Sequence, residues 1–374
     1  MQCKKLLFLS FVSLVLLPLV SYAEATLVAD TEVFEKAQVV EVTNQGTSTI
    51  PGSDTVSSTQ TLKIQVLNGV DEGKTATFKN DYIQLSVGDI FYARHQSNHL
   101  DSTDYWSVSD PYRLNILLGL AVAFVILLFL FGGIQGVRGL ASLFGSFGLI
   151  FYVLIPGLYG GYNAVLVSIG VASLIIVVGS YITHGFNRTT TSAVLGMIIT
   201  VIITGLGAYY VVHAAQLSGY GSEESTFLNL NVRGKIDMVG LLFGGIIIGL
   251  LGVLYDIAIG QAIAIEELFS AGKHLTRKEV YTRAIRIGRE HIGALVNTLA
   301  IAYVGASLPL ILLIQSSTTG VLFIINNEIF STEIVRILIG SIGLILGVPI
   351  TTLIASYMLH GKVKESTGEH HHHH

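Results

Sequence analysis

The chain is short of charge and of cysteine. Only 12% of its 374 residues are Asp, Glu, Lys or Arg, about half the share of a soluble domain, which argues against a water-soluble globule. A formal net charge of −4 is too small to suggest a nucleic-acid partner. The single cysteine, Cys3, stands in the basic start of the chain, so there is neither a disulfide framework nor a thiol centre. Metal-ligand sets are lacking too. His95 and His99 have no third ligand at a suitable spacing and read as ordinary surface histidines. No nucleophile–base pair has a recognisable spacing, with Asp256, His291 and Glu290 the only candidates. Neither an enzyme nor a cofactor is expected.

What the chain has is apolar surface. Hydrophobic residues make up 51% of it, with 40 Gly and 17 Phe, and the mean hydropathy is +0.65. That composition fits apolar spans packed through small residues. At the amino terminus, Met1 to Lys5 are basic, Leu6 to Val20 are apolar, and Ser21-Tyr22-Ala23 offers a small-residue cleavage site. Residues 1–23 therefore read as a signal peptide or, uncleaved, as an anchor helix. Either places residue 24 onward outside the cytoplasm. His370 to His374 are a purification tag, and the tail with its tag covers 366–374.

Residues 24–112 are polar, rich in Thr, Ser, Asp and Val, and too broken in hydropathy to span a membrane. Thr61 to Leu67 alternates with a period of two, Gly69 to Gly73 is a turn cluster, and Thr75 to Phe78 resumes the strand pattern. Val39 to Val42 is an earlier strand, and Leu85 to Phe91 reads as strand, turn, strand. Residues 44–60, rich in Ser, Thr and Gly, read as a long loop. A small antiparallel barrel or sandwich is expected. Tyr105, Trp106 and Tyr112, just before the first apolar run, fit an interfacial aromatic belt.

About seven transmembrane helices follow within 113–362, at 114–132, 140–159, 163–183, 190–212, 237–260, 293–314 and 334–359. Cations decide the orientation. Arg138, Arg188, the group from Lys273 to Arg289, and Lys362 with Lys364 fall on one side, which is taken as cytoplasmic. Few cations flank the other side. The fold class expected is thus an α-helical polytopic membrane protein with a small extracytoplasmic β-domain, set in a bacterial inner or plasma membrane with its carboxyl terminus inside.

The stretch from Gly252 to Pro309 carries the most chemistry. Asp256 interrupts the apolar run of the fifth span, and a carboxylate there is costly unless it meets a cavity, a partner or a proton path. Pairing with Arg286 or Arg289 is the structural alternative. Glu266 and Glu267 follow. Thr276 and Glu279 form a capping box that opens an amphipathic helix, with Val280, Ala284, Ile287 and Ile292 opposite Arg283, Arg286 and Arg289. His291 stands at the mouth of the sixth span and Asn297 lies within it. The glycines from Gly240 to Gly252 let helices approach closely. Glu333 and Arg336 share a helix face at spacing three and read as a structural pair. Pro309 and Pro349 are candidate helix breaks.

Gly252 to Ile259, Glu266-Glu267, Ile287 to Gly293, Asn297 to Leu299, Ala302 to Leu310, and Gly340 to Gly343 with Val348 to Ile350 resemble the YibE/F family of bacterial multispanning membrane proteins over residues 35 to 360. The resemblance implies a membrane protein and assigns no activity. A second, partial likeness is to half of a resistance-nodulation-division transporter or to the SecD/SecF export pair, where an intramembrane Asp takes part in proton coupling. Asp256 is the matching position, although only one such Asp is present and the exported domain precedes every span. Two readings follow. One is a secondary transporter or export factor driven by the proton gradient, with Asp256, His291, Asn297 and Glu266 along its coupling or transport path. The other is a non-transporting scaffold or sensor whose exported domain binds an envelope partner. The partners expected are the lipid bilayer, a small solute or ion with protons among the candidates, and a further copy of the chain.

Overall fold

A computed structural model describes residues 31–49, 56–98, 103–232, 234–272, 274–315 and 320–361. The leader over 1–23, His99, and the tail and tag over 366–374 lie outside the described residues. The chain divides into two compact units between Leu130 and Phe131.

The first unit carries five strands, β1 (Thr31–Thr49), β2 (Val56–Val66), β3 (Thr75–Asn80), β4 (Ile90–Asn98) and β5 (Thr103–Pro111). They pair antiparallel in the order β3-β2-β1-β4-β5. The outer strands β3 and β5 also touch, so the sheet curls into a half-barrel. Alternation sets the inside: Ala37, Val39, Leu62, Ile64, Phe91 and Ala93 are buried together, with Val39 opposite Ile64 and Ala37 opposite Phe91.

Three expectations for this unit are corrected. The polar stretch 44–60 is mostly strand, because β1 and β2 continue their ladder from Gly46↔Thr59 to Thr49↔Val56. Leu85 and Ser86 do not form the expected strand, although the turn at Val87-Gly88 and the strand from Ile90 are as expected. Leu85 is held by the buried Gln60 side chain, whose Oε1 accepts from the Leu85 N–H at 2.9 Å and whose Nε2 donates to the Leu85 carbonyl at 3.0 Å. Tyr105 and Trp106 belong to β5, and Trp106 stacks on His95 at 4.1 Å. His95 is no ordinary surface histidine. Its side chain is 13% exposed, and its Nδ1 lies 2.6 Å from Asp71 Oδ2.

The helices begin with α1 (Leu114–Leu149), which passes through a short π-helical turn (Ile150–Leu154) into α2 (Ile155–Tyr159). Then come α3 (Ala164–His184), α4 (Arg188–Ala214), α5 (Glu223–Asn231), α6 (Met238–Ala271), α7 (Arg277–Ala306), α8 (Leu308–Gln315), α9 (Val321–Asn326) and α10 (Glu328–Leu359). Five stretches among the described residues are long and apolar enough to cross a membrane: Leu114–Tyr159, α3, α4, α6 and α10. The count differs from seven for two reasons. The expected spans at 114–132 and 140–159 form one helical run kinked at Gly133, whose φ of 51° and ψ of −141° suit a residue without Cβ. The expected span at 293–314 is divided. The amphipathic helix and the first part of that span make one continuous α7, which ends with Ser307 as its C-cap, and the apolar α8 follows. Pro309 therefore does mark a break, whereas Pro349 sits inside α10 without ending it.

The helical core forms where α4, α6 and α10 meet, around Met197, Val201, Leu250, Leu254, Leu344 and Val348. Glycine sets the spacing. A Cβ on Gly343 would lie 2.8 Å from Thr204 Oγ1 and 2.9 Å from Leu250, and one on Gly347 would lie 2.8 Å from Leu254. Gly196 backs directly onto Thr351. Helices this close gain dispersion and Cα–H···O contacts that bulkier residues would forfeit. Among the glycines of the fifth expected span, Gly240, Gly244 and Gly249 meet Ala164, Ser168 and Tyr303, while Gly245 and Gly252 have open space.

Candidate functional site

α6 carries polar residues on two of its sides. Asp256 is exposed, whereas Leu254, Ile257 and Ala258 are buried. Among the described residues its carboxylate has neither a hydrogen bond nor an ion pair, and the expected pairing with Arg286 or Arg289 is not made; both arginines are exposed. Next to it, Tyr255 turns toward α3, its Oη 3.2 Å from His184 Nδ1. Ser142 and Tyr255 both border Gly179 of α3, and Gln135 Nε2 donates to the Thr183 carbonyl at 3.1 Å. A polar cluster thus joins α1, α3 and α6 beside Asp256.

On another side lies Gln261, 3% exposed. Its Nε2 donates to the Ala284 carbonyl of α7 at 2.7 Å and to Thr352 Oγ1 of α10 at 2.8 Å. Gly288 of α7 makes room for it, since a Cβ there would meet Gln261 Oε1 at 3.0 Å. This amide ties three helices together. The first half of α7 docks along the stripe Val280, Ala284 and Gly288, all buried, with Arg283, Arg286 and Arg289 exposed. Ile287, expected on the apolar side, is 39% exposed, because the docked stripe repeats every four residues and Gly288 occupies the place of closest approach. The capping box is as expected: Thr276 Oγ1 accepts from the Glu279 N–H at 3.3 Å, and Glu279 Oε2 accepts from the Thr276 N–H at 2.8 Å.

The other expected site residues do not gather around Asp256 through hydrogen bonds or ion pairs among the described residues. Glu266 is half-buried ten positions further along α6, while His291 and Asn297 are exposed on α7. Sequence reasoning missed Tyr255, His184 and Gln261. The signal for Gln261 was present, a lone amide within Ile257-Ala258-Ile259-Gly260-Gln261-Ala262-Ile263.

At the N-terminal end of α6 the bundle opens into two clefts. One, of about 590 Å³, lies among the ends of α3, α4 and α6 and is lined by Asn163, Tyr209, His213, Gln216 and Asp237. The second, of about 380 Å³, lies between the 219–225 segment, α6 and α10. Glu333 and Arg336 form the expected pair at its rim, with Nη1 donating to Oε1 at 2.8 Å. Among the described residues there is no group of three or more His, Cys, Asp or Glu able to hold a metal ion.

Comparison with known proteins places these helices and strands together. Residues 120–361 match the family described as YibE/F-like protein, and residues 33–102 match the YibE/F family N-terminal domain. No curated protein and no solved structure matches the chain significantly. The half-barrel is thus the family's amino-terminal domain and the helical unit its main body. The chain belongs to the YibE/F family.

Proposed function

We propose that the chain is a proton-gradient-driven secondary transporter or export factor with Asp256 as its coupling acid. The observation that carries this reading is an unpaired, exposed carboxylate within the mainly apolar stretch 238–265 of α6. Hydrocarbon would penalise such a group by several kcal/mol, so this side of α6 must meet water or another polar surface. α6 has 34 residues, roughly 50 Å of helix, and Asp256 lies roughly 27 Å from its start, near the far edge of a hydrocarbon core about 30 Å thick. His184, at the end of α3, lies close by through Tyr255. Tyr255, next to Asp256 in the chain, and His184, which it bonds, are the polar groups nearest to hand for a proton relay.

In this reading the chain crosses seven times, with α1 crossing before and after Gly133 and α7 with α8 supplying the sixth crossing. The half-barrel follows a cleaved leader and lies outside. Arg138, Arg188 and the α7 arginines lie at the cytoplasmic surface, so the clefts at the N-terminal end of α6 open outward and Asp256 sits near the inner mouth.

The test is proton movement by the purified protein in vesicles enclosing a pH-sensitive dye. With a pH gradient imposed, wild-type vesicles should acidify faster than empty ones. Asp256→Asn should lose at least nine-tenths of that rate while keeping its melting temperature. Equal rates for the two proteins would remove the coupling role and favour the scaffold reading.

A further inference from the structure

We propose that the arginine face of α7 binds anionic phospholipid, with Arg283, Arg286 and Arg289 on the head-group phosphate and apolar side chains further along the same helix against the acyl chains. The side away from the docked stripe of Val280, Ala284 and Gly288 carries Lys278, Arg283, Arg286 and Arg289, and all four are exposed. Among the described residues none of the four makes an ion pair. Two carboxylates share this side, Glu279 and Glu290. Glu279 is taken up by the Thr276 N–H and hydroxyl, and Glu290 is exposed. The cations outnumber the carboxylates, so the face is positive and calls for an anionic partner.

The rest of the helix says which anion. α7 runs unbroken for 30 residues. Arg283 and Ile301 stand eighteen positions apart, as do Arg286 and Val304, and eighteen residues make five full turns. Each arginine therefore shares its side of the helix with an apolar residue. Ile301 is 61% exposed and Val304 45%. One face thus changes from basic to apolar along its length, as a phospholipid does from head group to chain. Arg289 and Ile301 lie roughly 18 Å apart along the axis, within one leaflet of a bilayer roughly 40–45 Å thick with its head groups. Ile287, beside Arg283, is exposed as well, which suits the boundary between head groups and chains better than open water. Arginines at spacing three have Cβ atoms about 5–6 Å apart, close enough to share one phosphate, and a guanidinium binds phosphate through paired N–H groups. A soluble acidic protein would match the arginines and leave the apolar continuation unmet.

The inference rests on the sixth crossing proposed above but not on the coupling role of Asp256. Asp256→Asn should bind lipid as wild type does, so the two readings fail separately. The test titrates the full chain in detergent with phosphatidylglycerol and with phosphatidylcholine of the same chain length, counting bound lipid by native mass spectrometry. Phosphatidylglycerol should bind about tenfold more tightly. The triple variant Arg283→Gln, Arg286→Gln, Arg289→Gln should lose most of that preference, with its melting temperature in detergent alone unchanged because all three side chains are exposed. Arg286→Gln alone should lower the preference by about twofold or more. The pair Arg138→Gln, Arg188→Gln removes two exposed arginines elsewhere and should keep it. Glycerol phosphate, which has the phosphate without the chains, and a hexaglutamate peptide should displace little of the bound lipid. Equal binding of the two lipids, an undiminished preference in the triple variant or in Arg286→Gln, or an equal loss in the Arg138 and Arg188 pair would overturn the proposal. So would displacement by glycerol phosphate, which would mark a soluble-phosphate site, or by hexaglutamate, which would mark an acidic protein partner.

Discussion

Asp256 and Gln261 lie five residues apart on α6, which is roughly 140° around the helix, and this rotation separates their roles. Gln261 is buried and ties α6 to Ala284 and Thr352, whereas Asp256 is exposed and unpaired. Both were visible in the sequence as polar residues in an apolar run. Their facing was not, because α6 is apolar on nearly every side and offers no polar stripe from which to read a direction. Replacing Gln261 by Leu keeps the volume and removes two buried hydrogen bonds, so the helical unit should lose about 1–3 kcal/mol. Thermal denaturation in detergent should show this as a drop of several degrees, and an unchanged melting temperature would mean the amide is idle. In the half-barrel, Asp71 is the residue that titrates with consequence. The hydrogen bond from Lys74 at 2.5 Å, aided by His95, holds its carboxyl below the ordinary range despite burial. A folded-state pKa lower than the unfolded one contributes stability above the unfolded value, near 3.8, and that stability is lost as pH falls through the folded one. The half-barrel should therefore melt progressively earlier below about pH 4. Asp71→Asn should lower its melting temperature at pH 7 and flatten that acid limb.

Element by element, legibility followed how local the determinants were. The start of α7 was readable because a capping box is a contact within four residues. Thr276→Ala should accordingly cost about 1 kcal/mol, seen as a lower melting temperature, and Thr276→Ser should recover most of it. The β1–β2 ladder beyond Thr43 was not readable. Its Thr residues favour a strand, but Asn44, Gly46 and the serines among them break the pattern, and the pairing of one strand with the other makes the stretch extended. Hydropathy likewise exposed the apolar run 114–159 but not that Gly133 kinks a single helix, a property of one backbone angle. Glycine lines between helices were legible as small-residue spacing, although the partner of each was not. Gly196 backs onto Thr351, so Gly196→Val should overpack the α4–α10 contact and destabilise by about 1–3 kcal/mol. Gly252→Ala, which meets open space, should be close to neutral in the same melt.

At the scale of the molecule, a polar β-rich unit and an apolar helical unit differ so much in composition that their existence, order and family could be read without coordinates. The expected cluster of Asp256, His291, Asn297 and Glu266 could not be checked by spacing alone, since His291 and Asn297 lie on a different helix whose rotation is set by the Val280, Ala284 and Gly288 contact. Orientation has its own test. A reporter joined after His360 should behave as cytoplasmic and one near residue 50 as exported, and the reverse pattern would overturn the assignment of inner and outer ends. The central claim, that water reaches Asp256, can be measured directly because Cys3 is the only cysteine in the chain. In a Cys3→Ser background, Asp256→Cys is treated in oriented membrane vesicles with a membrane-impermeant charged thiol reagent and, separately, with a lipophilic maleimide. The account predicts labelling by the charged reagent from the cytoplasmic side, at a rate within about tenfold of a cysteine on the exposed face of α7. Labelling by the lipophilic maleimide alone would place Asp256 against hydrocarbon and contradict its role as a coupling acid.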